Sequence, residues 1–277
     1  MASALVPGRA ARGDKVIVVM PAYNAAKTLR HTYEEIPPDV VDEVILVDDV
    51  SRDETVAIAE SLQIRVVVHL QNRGYGGNQK TCYIEALLAG ADIVVMLHPD
   101  HQYDSSRVPE LVRPILTGEA DFVLGSRIAT GAALAGGMPV WKFVANRCLT
   151  LLENLILGTH ATDLHTGFRA YSRRVLTTIP FLLNSDGFVF DSQVIAQANA
   201  KGFRIAEVPV PARYFAEASS VGFRVSLIYG LGNVKAVLQL ALFKLGLWRA
   251  AWLDRTLYEV LSPHHRDRIF SEARASG

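Results

Sequence analysis

Three side chains able to hold a cation, His98, Asp100 and Gln102, alternate directly behind an aliphatic run in VVMLHPDHQYD, residues 94–104. In extended backbone alternate residues share one side, so the three can converge on a point. Carboxylate and amide oxygens suit Mg2+ or Mn2+, ions that keep several waters and bridge substrate phosphates. A histidine beside them is tolerated better by Mn2+. The competing reading is a polar turn with Asp104 or Ser105 capping the next helix. A second acidic cluster, Asp48 and Asp49 in VDDVSRDET, also ends an aliphatic run. Such a carboxylate can accept hydrogen bonds from a ribose or a base N–H. It can equally cap a helix, although Ser51 or Asp53 would serve there and two aspartates exceed one cap's need.

Three further segments carry chemistry-bearing residues. NRGYGGNQK sets Gly74, Gly76 and Gly77 ahead of a helical pattern, with Arg73 and Lys80 alongside. Its backbone N–H groups can approach phosphates, or the glycines can make a tight turn. The spacing matches neither the Walker nor the dinucleotide fingerprint. DLHTGFRAYSRR offers Asp163 as a general base and Arg169 as an anion ligand, or reads as a loop with a glycine turn. EVPVPARYFAEASSVGF is an extended segment followed by a loop. It places Arg213, which can grip a phosphate bidentately or form a surface salt bridge, near Ser219.

Stepping outward from these residues, the elements that must hold them alternate. Aliphatic runs at residues 15–20, 41–47, 64–70, 92–97 and 121–126 are separated by helix-like stretches near 26–36, 53–62, 77–90 and 105–117. Continuous aliphatic strands between helices indicate an α/β fold with a mainly parallel sheet covered on both faces. In such sheets ligands bind beyond the carboxyl ends of the strands. PAYNAA, DDVSRDET, the glycine segment, HPDHQYD and the Ser126-Arg127 pair all fall there.

The chain has 277 residues, with 28 Lys+Arg against 28 Asp+Glu, enough length for a large core and no positive excess that would suit nucleic acid. The two cysteines, Cys82 and Cys148, are far apart and read as two buried thiols in a reducing, cytoplasmic setting. Residues 1–14 lack the apolar core of a signal peptide and read as a flexible arm. Residues 225–248 are apolar but interrupted by Asn233, Lys235, Gln239 and Lys244. Leu227, Leu231, Val234, Leu238, Leu242 and Leu245 recur at helical spacing. An interfacial helix on the cytoplasmic face of a membrane, or one packed on a partner chain in a homodimer or into the core, fits this pattern better than a span.

Taken in order, VVMPAYNAAKTL, VDDVSRDET, the glycine segment, HPDHQYD, DLHTGFRAYSR and VPVPARYFAEAS resemble the family-2 glycosyltransferases of GT-A fold. Within them the chain is most similar to the dolichol- and polyprenyl-phosphate hexose (mannose) synthases. The resemblance covers about residues 15–222. It implies an inverting, metal-dependent transferase moving a hexose from a nucleoside-diphosphate sugar, GDP-mannose or a UDP-sugar, to a polyprenyl phosphate. By this carry-over Pro21, Tyr23, Asp48 and Asp49 line the nucleoside pocket, and Asn24, Gly76, Lys80 and His98 belong to the same donor site. Asp100 and Gln102 hold Mg2+ or Mn2+. Asp163 stands at the reaction centre with Arg213, and Arg169, Arg213 and Ser219 bind the acceptor phosphate. Three departures stand out. His98 replaces the first acid of Asp-x-Asp-x-Gln, Ala25 replaces the glutamate after Asn24, and Ala216-Glu217-Ala218-Ser219 lacks the lysine of Gly-Glu-Ser-Lys. The same fold glycosylating a hydroxyl, and a non-catalytic nucleotide-sugar-binding module, are the alternatives. The organisation expected is an arm (1–14), a catalytic domain (15–222), a helical segment (223–261) and a flexible tail (262–277).

Overall fold

The computed structural model describes residues 13–131, 133–134, 136–214 and 223–271, with the backbone alone for 223–228. Seven strands form one sheet: β1 (Val16–Ala22), β2 (Glu43–Asp48), β3 (Arg65–Val68), β4 (Ile93–Met96), β5 (Phe122–Ser126), β6 (Arg169–Ser172) and β7 (Ile205–Pro209). The helices are α1 (Leu29–Glu34), α2 (Thr55–Ser61), α3 (Gly74–Leu88), α4 (Val108–Leu116), α5 (Val140–Leu157), α6 (Arg173–Thr178), α7 (Phe190–Ala200), α8 (Phe223–Lys244), α9 (Ala251–Asp254), α10 (Leu257–Val260) and α11 (Pro263–Ser271).

Strand order is β3-β2-β1-β4-β6-β5-β7, parallel except for β6, which runs antiparallel to both its neighbours. Every residue of β1 and β4 is buried, because helices cover both faces. Ile17, Val19, Val94 and Met96 enter one hydrophobic cluster, while Val16, Val18, Ile93 and Val95 enter the other. That alternation is the two-residue period of a strand, with both sides apolar.

The topology places the site. From β1 the chain moves one way to β2 and β3, then returns to lay β4 on the opposite side of β1. Connections diverge at that boundary and leave a crevice beyond the carboxyl ends of β1 and β4. The segments after Ala22 and after Met96 therefore face each other.

The expected parallel core is present, and three features differ from the sequence reading. The segment around Arg169, read as a loop, is β6. It is four residues long, and its first side chain is a fully buried arginine, so no apolar alternation marks it. The apolar segment is helix α8, whose Asn233, Ala236, Val237 and Leu240 are buried as a core helix requires, whereas Cys148, expected to be buried, is exposed on α5. Of the expected flexible tail, residues 263–271 form α11, where Ile269 is buried and its carbonyl accepts a hydrogen bond from Arg173 Nη2 at 2.6 Å.

Candidate active site

A cavity of about 1000 Å3 occupies the crevice. Pro21, Tyr23, Asn24, Asp49, His98, Asp100 and Gln102 all line it. Seven residues chosen from the sequence thus meet in one place, brought there by β1, β2 and β4.

Asn24 takes a positive φ of 53°, a conformation asparagine tolerates. Its N–H donates to Ser51 Oγ and its Oδ1 accepts from Arg52 N, both at 2.8 Å, which ties the β1 loop to the β2 loop. Asp49 accepts from Arg73 N at 2.8 Å, Gly74 N at 2.9 Å and His69 Nδ1 at 2.7 Å, so it holds the start of α3 while facing the cavity. Asp48 lies beneath the cavity. Its Oδ2 accepts from Ser51 N at 2.9 Å, and its buried Oδ1 has no hydrogen-bond partner.

The glycine segment is a packing device. Gly76 N and Gly77 N both donate to Asp186 O, at 2.7 and 3.3 Å. A Cβ at Gly76 would stand 2.8 Å from Phe190 Cβ and 2.9 Å from Gly187 O. Lys80 is buried in an ion pair with Asp186 at 2.7 Å and also donates to Asn184 O. Neither Gly76 nor Lys80 lines the cavity.

The segment after β4 is a turn, not extended chain: His101 has φ 56°, and Asp100 Oδ1 accepts from Gln102 N at 3.1 Å. The turn still presents His98, Asp100 and Gln102 to one cavity. Burial holds Asp100 above the usual carboxylate range and His98 below the usual imidazole range. His98 stacks on Tyr75 with ring centroids 5.3 Å apart, and its Nε2 is 3.2 Å from the Tyr75 hydroxyl. That hydroxyl donates to Asp191 Oδ2 at 2.8 Å. Its one proton is used there, so its oxygen accepts from His98 Nε2–H. The neutral ring then carries its free lone pair on Nδ1. Asp191, which lines the cavity with Tyr75, also pairs at 2.9 Å with Arg169, itself fully buried and not part of the cavity wall.

The cavity also holds residues to which the sequence reading gave no role, together with Arg127, which it had placed at a strand's carboxyl end. Arg127, Trp141, Lys142, Asn146, His165 and Tyr229 line it. Arg127 grips Asp163 bidentately, Nε–Oδ2 at 2.7 Å and Nη2–Oδ1 at 3.0 Å, and Asn146 Nδ2 adds a bond to Oδ1 at 2.8 Å. Burial alone would raise Asp163, yet the Arg127 charge and these bonds bring it down to about 2. Asp163 is fully buried and is not part of the cavity wall. Burial and the Arg127 charge hold Lys142 below the usual lysine range. His165 Nδ1 lies 2.9 Å from the Tyr229 hydroxyl and its Nε2 lies 3.4 Å from Glu153. Burial lifts Glu153 to about 8 and lowers His165 to about 4.

Arg213 lies outside the cavity, with Nη1 3.0 Å from Glu35 and 2.9 Å from His101 Nε2. Ser219 is outside the described residues. Arg127 was within reach of sequence reasoning, because it directly follows β5. Lys142 carried no such mark, since α5 shows neither a capping residue nor a polar stripe at its start.

A crevice at the carboxyl ends of a mainly parallel sheet, lined by Asp49, Asp100, Gln102, Arg127 and Lys142, is that of a GT-A fold. The chain belongs to a named family: residues 17–179 match the model for glycosyl transferase family 2. Among its relatives is the UDP-N-acetylglucosamine–dolichyl-phosphate N-acetylglucosaminyltransferase of Methanococcus voltae, 28% identical over 251 residues, covering 84% of this chain and 98% of that one. The undecaprenyl-phosphate mannosyltransferase of Micrococcus luteus is 28% identical over 203 residues, covering 71% and 82%. Among solved structures, glucosyl-3-phosphoglycerate synthase from Mycobacterium tuberculosis, in complex with phosphoglyceric acid, superposes with TM-score 0.66 at 25% identity, covering 86% and 82%. The protein is a glycosyltransferase.

Proposed function

We propose that the protein transfers a hexose from a nucleoside-diphosphate sugar to a polyprenyl phosphate, with inversion at the anomeric carbon. The observation that carries this reading is that Arg127 and Lys142 line one cavity together with the apolar Trp141, Ala145 and Leu149. Two cations beside an apolar wall suit a phosphate on an apolar chain. The two relatives named for dolichyl and undecaprenyl phosphate support it.

The donor's nucleoside would lie against Pro21, Tyr23, Asn24 and Asp49. Asp100 and Gln102, with His98 Nδ1, form a donor set that fits Mg2+ or Mn2+ when diphosphate oxygens and water complete it, and no cluster of three His, Cys, Asp or Glu exists among the described residues. Solved structures of the mycobacterial synthase hold Mn2+ with UDP. The ion would neutralise charge on the departing diphosphate. In the transfer, an acceptor phosphate oxygen forms the new bond to the anomeric carbon as the bond to the diphosphate breaks, and the electron pair leaves with the nucleoside diphosphate. An ionised phosphate needs no general base. That agrees with Asp163, whose proton affinity is far too low for one and whose carboxylate positions Arg127 instead. The cation pair also suits a soluble phosphorylated acceptor, a second reading that rests on the likeness to the synthase solved with phosphoglyceric acid.

The test offers UDP- and GDP-sugars with Mn2+ to three acceptors: a short-chain polyprenyl phosphate, its dephosphorylated alcohol, and 3-phosphoglycerate. Mass spectrometry should show product with the polyprenyl phosphate and none with the alcohol. Equal product from the alcohol would refute the phosphate reading, and product from 3-phosphoglycerate alone would select the soluble acceptor.

A further inference from the structure

We infer that the outer face of α5 and α8 docks the protein on the surface of a bilayer bearing anionic headgroups. On a helix surrounding a soluble core the outward stripe is polar. Here it is apolar on two neighbouring helices. Along α5 the residues turned outward at helical spacing are Trp141, Val144, Cys148, Leu151 and Leu155, the last 82% exposed. α8 turns out Leu231, Leu238 and Leu242, and Leu245 just beyond its end is 70% exposed. The helices lie side by side: Leu149 Cδ1 is 3.7 Å from where a Cβ on Gly230 would stand, and Lys244 Nζ donates to Ile156 O at 3.1 Å. Single exposed leucines are ordinary on a protein surface, whereas contiguous rows mark a binding face.

Two observations select a lipid surface as the occupant. The first is charge. α5 and α8 carry one acid between them, Glu153, and it is buried, whereas Lys142, Arg147, Lys235 and Lys244 lie on the same helices with Arg249 just past them. Each basic residue held near an anionic surface strengthens attachment roughly fivefold. The second is continuity. Trp141 lines the acceptor end of the cavity and is also 42% exposed on this face, so the cavity opens where the apolar rows begin. A substrate with a phosphate head and an apolar tail can reach Lys142 there while its tail stays out of water. This deepens the polyprenyl-phosphate reading and rests on it for the choice of a lipid over a second chain. Among the described residues no helix is long and apolar enough to cross a membrane, so the contact is an interfacial one.

The experiment is flotation of the full chain with vesicles of phosphatidylcholine, with and without phosphatidylglycerol. It is run beside transfer assays using a water-soluble short-chain polyprenyl phosphate. The protein should float with the anionic vesicles, less so at high salt. The double variant Leu155→Glu/Leu245→Glu should partition at least about tenfold more weakly. Its thermal midpoint should match the parent's, showing that it folds, and its transfer to the soluble acceptor should be unchanged. Absence of flotation by the parent, or equal flotation by the variant, overturns the proposal. So does light scattering that shows a dimer which the variant dissolves, because the face would then belong to a second copy. Flotation without transfer to polyprenyl phosphate would sink the acceptor reading alone, and transfer without flotation would sink the docking surface alone.

Discussion

Arg127 and Asp163 face each other in a bidentate ion pair with the carboxylate wholly out of solvent. Arg127 therefore reaches the cavity wall with its orientation set by a group that does not itself reach it. The pair has a stability consequence. A carboxyl depressed to about 2 favours folding wherever the unfolded chain's carboxyl, near 3.8, would be ionised, and loses that contribution as pH falls through 2. The window is thus pH 4 down to 2, and the amount is about 2 kcal/mol. Asp163→Asn strands the buried guanidinium, which should cost about 3–5 kcal/mol at neutral pH. Urea unfolding of both proteins from pH 2 to 7 measures this, and a variant losing under 1 kcal/mol would mean the pair is solvated.

Glu153 and His165 pull in opposite directions. The raised Glu153 makes stability fall as pH climbs from about 4.5 to 8, whereas the lowered His165 makes it rise between about 4 and 6.5. The two offset each other in the shared range. From pH 6.5 to 8 only the Glu153 contribution remains, a decline of about 2 kcal/mol. Glu153→Gln should remove that decline, seen as a smaller fall of the thermal midpoint between those pH values. Parallel curves for parent and variant would show that Glu153 ionises freely in the fold.

If Lys142 holds the acceptor's phosphate, Lys142→Gln removes a charge-assisted hydrogen bond of about 1.5–3 kcal/mol, a tenfold to hundredfold effect. That effect should appear in KM for the acceptor, with KM for the donor within about twofold. Steady-state kinetics in both substrates decide the point. Equal increases in the two constants would move Lys142 to the donor's diphosphate.

The hydrogen-bond chain from Asp191 through Tyr75 to His98 predicts which imidazole nitrogen is free. With UDP present, Mn2+ bound at Asp100 should show a nitrogen hyperfine coupling that vanishes in His98→Ala. Tyr75→Phe frees the tautomer and should weaken Mn2+ binding about tenfold or more by titration calorimetry. A spectrum identical in parent and His98→Ala would confine the ion to oxygen ligands.

The alternation of KVIVVM, VILV and IVVM with helical stretches needed no tertiary information, because strands buried on both faces must be continuously aliphatic. Strand ends were legible for the same reason, and with them Pro21, Tyr23, Asp49, Asp100 and Gln102 as neighbours. β6 was not legible. An arginine opening a core strand is held by Asp191, on a helix distant in sequence and 2.9 Å away, and by Thr166 O, which accepts from its Nε at 2.7 Å.

Strands β1 to β5, the ligand-binding edge of the sheet and the family were legible in the sequence, since these follow from local periodicity and from motifs in order. What each charged residue does came from the packing. Lys80, Asp163, Arg169 and Arg213 are all committed to partners far away in the chain, at Asp186, Arg127, Asp191 and Glu35, and Lys142, outside every motif, lines the same cavity as Arg127. A charge acts through what lies within a few ångströms of it, and that distance is set by the packing of helices and strands rather than by neighbours in sequence.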